Sequence, residues 1–223
     1  MQITRTANAG VLLKLDGVTI LLDGVCREVK PYLATPPEIK SELMVDLPDV
    51  IAFSHAHKDH YDPGFAAIVL QKNGVILGPE QCHGTMDALT IGNVRITPIS
   101  SRHIGAAGKD TPHVSFVIEG SKCIWFTGDA SPTYWRQVEL PKPDVMIVPY
   151  AYCSTPSAWL TTQNYGAKAI ILVHMPFPEG DSTGLWSAVR TTVGIDDCIA
   201  IQRLPELYIP NMNETVSIQV SCD

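Results

Sequence analysis

The run Ser54-His55-Ala56-His57-Lys58-Asp59-His60-Tyr61-Asp62 constrains this chain more than any other stretch. It holds three histidines and two carboxylates in nine residues, directly after the apolar run Val50-Ile51-Ala52-Phe53. Imidazole nitrogens suit zinc, iron and other borderline cations, and carboxylate oxygens can share such ions. If the apolar run is a strand, His55 and His57 share a face, being two apart, while Asp59 and His60 lie past the strand end where the chain can turn them inward. Two half-sites can therefore start from one loop. The residues that follow read as a helix, with Asp62 as N-cap, Pro63 at the first helical position and Phe65, Ala66, Ile68, Val69 and Leu70 supplying an apolar face. That strand-loop-helix setting disfavours the competing reading, an exposed histidine-rich loop.

Composition narrows what such a site serves. The chain has 223 residues, 45% of them hydrophobic, enough to bury a large core in one domain of two or three layers. It lacks an apolar run near the ~20 residues a membrane helix needs, and its start, Met-Gln-Ile-Thr-Arg, lacks the apolar centre of a secretory signal, so a cytoplasmic chain is expected. The six cysteines, Cys26, Cys82, Cys123, Cys153, Cys198 and Cys222, show no CxxC spacing and read as reduced thiols. A net charge of −7 disfavours a broad nucleic-acid surface, which needs clustered Lys and Arg, and favours a small-molecule substrate. Serine catalysis finds no GxSxG elbow.

Short β-rich runs come first. Gly10 to Leu15 and Val18 to Leu22 flank an Asp16-Gly17 turn, Gly74 to Leu77 reads as a strand, and Leu89 to Ile91 pairs with Val94 to Ile99 across Gly92-Asn93. Val114 to Glu119 and Cys123 to Thr127 form a further hairpin. Residues 27 to 48, with Pro31, Pro36, Pro37 and Pro48, read as a loop that could wall the site. From residue 131 helix and strand alternate: a short helix from Ser131, a strand over Asp144 to Val148, a helix over Pro156 to Tyr165, a strand over Ala169 to Val173, a helix over Ser182 to Thr192, and strands over Cys198 to Arg203 and Val216 to Val220. Three further metal-ligand types sit just past apolar strands: His103, Asp129 in Thr127-Gly128-Asp129, and His174.

The order His-x-His-x-Asp-His between strand and helix, followed by His103, Asp129 and His174, resembles the signature of the metallo-β-lactamase superfamily over nearly the whole chain. The resemblance implies an α/β fold, an αββα sandwich in which two mixed sheets are covered by outer helices. By that resemblance His55, His57 and His103 would hold one metal, Asp59, His60 and His174 a second, and Asp129 would bridge them. His113 rivals His103, being in the same interval but at a strand's beginning; otherwise it would support the ligands from behind or line the substrate pocket. Asp23, after Leu21-Leu22, would orient a ligand histidine or cap a turn. Arg102, beside His103, could clamp an anionic substrate or simply be a surface arginine. His83 and Lys58 read as surface side chains.

The chemistry implied is hydrolysis. Two divalent cations, zinc before manganese or iron, would share a hydroxide that attacks an ester, lactone or similar small-molecule bond, with Asp59 or a bound water carrying the proton to the leaving group. A phosphodiesterase or small nuclease could use the same ions, and a metal-binding module without catalysis is a third reading. His57 stands where diiron oxygen-reducing members usually carry Glu, and too little chain follows His174 for the helical domain of glyoxalase II. The small single-domain hydrolases, including the L-ascorbate-6-phosphate lactonase type, fit best.

Overall fold

The computed structural model describes residues 1–105, 108, 110–194 and 205–219. In chain order its elements are β1 (Gln2–Arg5), β2 (Val11–Leu15), β3 (Val18–Leu22), α1 (Pro37–Val45), β4 (Val50–Ala52), α2 (Pro63–Gln71), β5 (Ile76–Leu77), β6 (Leu89–Ile91) and β7 (Val94–Arg102). There follow β8 (Pro112–Glu119), β9 (Cys123–Phe126), β10 (Val145–Pro149), α3 (Pro156–Gln163), β11 (Ala169–Val173), α4 (Leu185–Val193), β12 (Glu206–Tyr208) and β13 (Thr215–Ser217). The strands form a six-stranded sheet in the order β13-β1-β2-β3-β4-β5 and a seven-stranded sheet in the order β12-β11-β10-β9-β8-β7-β6. Both sheets are mixed, since β3, β4 and β5 run parallel, as do β9 to β12, while the hairpins are antiparallel.

Strand alternation sorts side chains into three apolar layers. Val11, Leu13 and Leu15 of β2 meet Val114, Phe116 and Ile118 of β8 in the core between the sheets. The opposite face of the six-stranded sheet buries Leu21 and Ile51 under Ile39 and Leu43 of α1 and Phe65 and Val69 of α2. On the outer face of the seven-stranded sheet, Val117, Trp125, Met146 and Ile170 pack against Trp159 of α3 and Val189 of α4. The result is the αββα sandwich that the motif order implies.

Some expected elements differ. The stretch 27 to 48 contains a helix, α1, because Pro37 opens it and a single i, i+4 pair, Ile39 and Leu43, is enough to dock it on the α2 layer. The short helix after Ser131 is only a 3-10 turn over Tyr134–Gln137. The helix expected from Ser182 starts at Leu185, where the Asp181 carboxylate accepts from the backbone N–H groups of Leu185 and Trp186. Strands β1 and β12 went unrecognised, and the closing strand is β13, paired with β1; Cys198 to Arg203 lies outside the described residues. Cys26, Cys82, Cys123 and Cys153 are free thiols. Among the described residues no helix is long and apolar enough to cross a membrane.

Asp62 caps α2 as anticipated: its Oδ1 accepts from the Gly64 and Phe65 amides at 2.8 and 3.1 Å, and its Oδ2 meets the Lys40 ammonium of α1 at 2.5 Å. Replacing Asp62 with Ala should cost about 1–2 kcal/mol, and Asn should recover part of it. Urea denaturation of chelator-treated protein measures the difference; unchanged midpoints would deny the cap its role.

Candidate metal centre

The strands deliver the site. Successive antiparallel, antiparallel and parallel pairings make β7, β9, β10 and β11 point the same way, so residues after their carboxyl ends reach one rim, where open α/β sheets place ligands. His103 directly follows β7, Asp129 follows β9 and His174 directly follows β11. Asp23 follows β3 and His55 follows β4 of the other sheet. The backbone bends sharply here: Asp23 and His174 hold φ of 46° and 57°, in the left-handed region that residues with a Cβ adopt uncommonly. Gly128 (φ 49°) is required, because a Cβ there would lie 2.6 Å from that of Ser54.

Hydrogen bonds determine which ring nitrogen of His55, His60 and His103 faces inward. Ser54 Oγ gives its one proton to Asp23 Oδ2 at 2.5 Å, so the 2.9 Å contact between Ser54 Oγ and His55 Nδ1 must be donated by the ring. Burial and the neighbouring His60 push the His55 pKa well down, keeping the ring neutral and its Nε2 a bare lone pair. His60 Nδ1 donates to Asp23 Oδ2 at 2.8 Å, and His103 Nδ1 donates to the Ile104 carbonyl at 2.7 Å. Such partners on the far nitrogen are what orient metal-binding imidazoles. Burial, then His103, lowers the pKa of the exposed His57 as well.

The inward atoms converge. One ligand atom each from His55, His57 and His103 lies within 4.8 Å of the others, and the same holds for Asp59, His60 and His174. Asp129 sits between the two trios, with Oδ2 at 3.4, 3.7 and 3.5 Å from Nε2 of His60, His103 and His174. Burial acts to raise the Asp129 pKa, but the charges of His174 and His60 outweigh it and hold the carboxyl well below its usual range. Burial acts to lower that of His60, but Asp129 and then Asp23 pull it well above the ordinary imidazole value. For Asp59 burial is likewise outweighed, by His174 and His60, so it stays ionised. Nε2 of His55, His60, His103 and His174, with Asp129 Oδ1, are buried and have no hydrogen-bond partner. Buried polar atoms are rarely left orphaned, and five around one small volume fit cations. A further trio, Asp23, His55 and His60, offers no such site, since its Asp23 oxygens are already bonded to Ser54 and His60.

His113 stands behind the cluster. Its Nε2 accepts from the Asp129 backbone N–H at 2.9 Å, so Nδ1 donates to Ser101 Oγ at 2.7 Å, and the relay runs through Ser115 Oγ to the Thr127 carbonyl. Burial pushes its pKa down to about 3. It is not among the imidazoles of the first trio and does not line the cleft at the centre, although it borders a smaller one with Ser101 and Thr111; both nitrogens are spent on the turn that carries Asp129. Arg102 stands beside the centre, lining a cleft of 560 Å³ with His103, Ser131, Tyr134 and Gln137. That cleft shares His103, Ile104, Gly105 and Thr133 with a larger one of 930 Å³, where Asp59, His103, Asp129 and His174 meet Tyr32, Tyr150, Arg136 and one face of α3. Tyr32, from the proline-rich stretch, packs edge-on against His174 with ring centroids 4.4 Å apart, so that stretch does wall the site. His83 and Lys58 are exposed, as read. Ser54, Tyr32 and Arg136 escaped the sequence reading; only Ser54, adjoining the motif, carried a signal.

This is a metal-binding rim on an αββα sandwich, a site of the beta-lactamase superfamily type. Residues 2–171 match the beta-lactamase superfamily domain, and the chain belongs to that superfamily. None of the curated protein sequences matches it. Among solved structures it is similar to an isothiocyanate hydrolase from Delia radicum gut bacteria, with 18% identity, 98% of this chain and 99% of that one covered, and a TM-score of 0.68. A metallo hydrolase from Ignicoccus hospitalis shares 16% identity over 99% of both chains with a TM-score of 0.65. CmlA, a diiron β-hydroxylase from Streptomyces venezuelae, shares 13% identity over 97% of this chain and 54% of that one, with a TM-score of 0.65.

The Asp23–His60 pair generates a pH prediction. His60 holds its proton to higher pH than a free imidazole, and a cation must displace it, so zinc affinity should climb as pH rises through the neutral range. Asp23→Asn lowers the His60 pKa, which moves that climb to lower pH, and loosens the ring, which should weaken binding by about 10–100-fold at the plateau. Competition against a chelating dye across a pH series reads both effects.

Proposed function

We propose that the chain is a metal-dependent hydrolase acting on an ester, lactone or similar small-molecule bond, with two divalent cations, zinc foremost, at the rim. The observation that carries this reading is the set of orphaned buried Nε2 atoms around Asp129. His55, His57 and His103 would hold one ion, Asp59, His60 and His174 the other, with Asp129 between them. Bound there, two such cations would supply a nucleophile from water at neutral pH and polarise the oxygen of the scissile bond.

The chain's own residues do the rest. Asp23 and Ser54 fix the rings of His60 and His55, and His113 fixes the turn under Asp129. Asp59, ionised and facing the cleft, can take up a proton at a carboxylate oxygen and return it to the leaving group. Tyr32 covers His174 and narrows water's access from that side. The cleft volume of 930 Å³ is within the range of small-molecule sites. We assign the chain to the small hydrolases of the superfamily, with the L-ascorbate-6-phosphate lactonase type as the branch it resembles, working as one domain. A cytoplasmic location accords with the free thiols.

The test is metal content by inductively coupled plasma measurement beside initial rates on an ester, lactone, isothiocyanate and phosphodiester panel. The isothiocyanate is included because a structure of the same fold carries that name. Wild type should hold about two ions per chain, and His103→Ala or His174→Ala about one. Asp129→Asn should cut turnover on the order of 100-fold. Saturation at one ion with full activity, or unchanged rates in Asp129→Asn, would sink the two-metal reading. Phosphodiester turnover alone would make the chain a phosphodiesterase, and loading without turnover a binding module.

A further inference from the structure

The cleft extends well beyond the metal centre, and its lining separates into two chemistries. Among the described residues Asp59 and Asp129 are its only carboxylates, and both belong to the cluster of imidazoles. The wall built by the 3-10 turn and α3 carries neutral hydroxyl and amide groups, Thr133, Ser157, Thr161 and Asn164, and among the described residues of that wall one cation, Arg136. Ser157, Thr161 and Asn164 recur four and three residues apart, so they share the face of α3 that looks into the cleft.

Arg136 is held but not consumed. Its Nη2 donates to Thr161 Oγ1 at 2.7 Å, and Thr161 Oγ1 in turn donates to the Ser157 carbonyl at 2.8 Å. A guanidinium has five N–H donors in a rigid fork, and one bond leaves most of that fork free. Among the described residues no carboxylate pairs with Arg136. The helix does not need it either: Thr155 caps α3 through the Ala158 amide, and Trp159 anchors it in the outer layer. The chain as a whole is acidic, with a net charge of −7, yet here a pinned guanidinium stands over a wall that carries no carboxylate among the described residues.

We propose that Arg136, steadied by Thr161, binds an oxyanion, a carboxylate or phosphate group, carried by the substrate at a distance from the bond that is cleaved. This rests on the hydrolase reading for the word substrate, and it names the class: small esters or lactones bearing a remote anionic group. The planar fork suits such groups because two parallel N–H···O bonds match their oxygen spacing. Arg136 is thus a specificity residue, and the anion it holds sets which end of the molecule faces the metals.

The experiment is calorimetric binding to chelator-treated protein, so that the anion cannot be read by a metal ion instead. The probes are three stable anilides of one length, ending in a carboxylate, a phosphate or a methyl ester. Wild type should bind an anionic anilide on the order of tenfold or more tightly than the ester, and the tighter of the two anions names the group. Arg136→Met should abolish the preference, Arg136→Lys should keep part of it, and Arg102→Met, which removes an equal charge from the neighbouring cleft, should retain it. No preference in wild type, a preference that survives Arg136→Met, or equal loss in Arg102→Met would overturn the proposal. Rates on the matching ester substrates separate the two readings. An Arg136-dependent preference in binding with no turnover would refute the hydrolase and keep the anion site, whereas turnover indifferent to charge, with no binding preference, would do the reverse.

Discussion

Everything at the rim depends on burying imidazole nitrogens without partners of their own. An orphaned buried polar atom costs about 1–3 kcal/mol, and the fold sustains several around Asp129. Asp23 makes this arrangement hold. Fully buried, it accepts from the Ser54 amide, the Ser54 hydroxyl and His60 Nδ1, and through Ser54 it sets the tautomer of His55 as well. One carboxylate thereby aims two rings. A cation that satisfies their free nitrogens would also stabilise the folded chain, since no such constellation exists in the unfolded one.

The centre is also a seam between the two sheets. Asp23, His55, His57, Asp59 and His60 come from the six-stranded side, and His103, Asp129 and His174 from the seven-stranded side. Backbone hydrogen bonds stitch the seam at the same rim: Val114 N–H to the Ser54 carbonyl at 2.9 Å, and His174 N–H to the Asn8 carbonyl at 3.0 Å. Neither sheet holds a complete site. Docking of the sheets through the Val114, Phe116 and Ile118 layer is therefore part of the chemistry and not only of the stability.

Around this shared centre the cleft walls come from elements with different demands. The histidine turns are tightly specified, as Gly128 and the positive φ of Asp23 and His174 attest. The stretch carrying Tyr32, the 3-10 turn carrying Arg136 and the outer face of α3 lie on the surface, where substitutions disturb little packing.

The motif run, its position between β4 and α2, and the placing of His103, Asp129 and His174 after apolar strands were legible in the sequence, because ligand chemistry and strand ends are both local properties. The Asp62 cap and the hairpin at Asp16-Gly17 were legible for the same reason. What the sequence left open was decided by neighbours 12 to 25 residues away along the chain. His103 rather than His113 joins the cluster because pairing of β7 with β8 sets Ser101 opposite His113 and the Asp129 amide takes its other nitrogen. Arg102 lines the cleft it shares with His103, while Arg136, which no local pattern distinguishes, reaches the larger cleft through its bond to Thr161 on α3. Helix α1 formed from two apolar residues because α2 was there to receive them. Residue type and spacing determined what chemistry the chain can perform; the packing of the two sheets determined which side chains perform it, because orientation and burial are properties of contacts between distant segments.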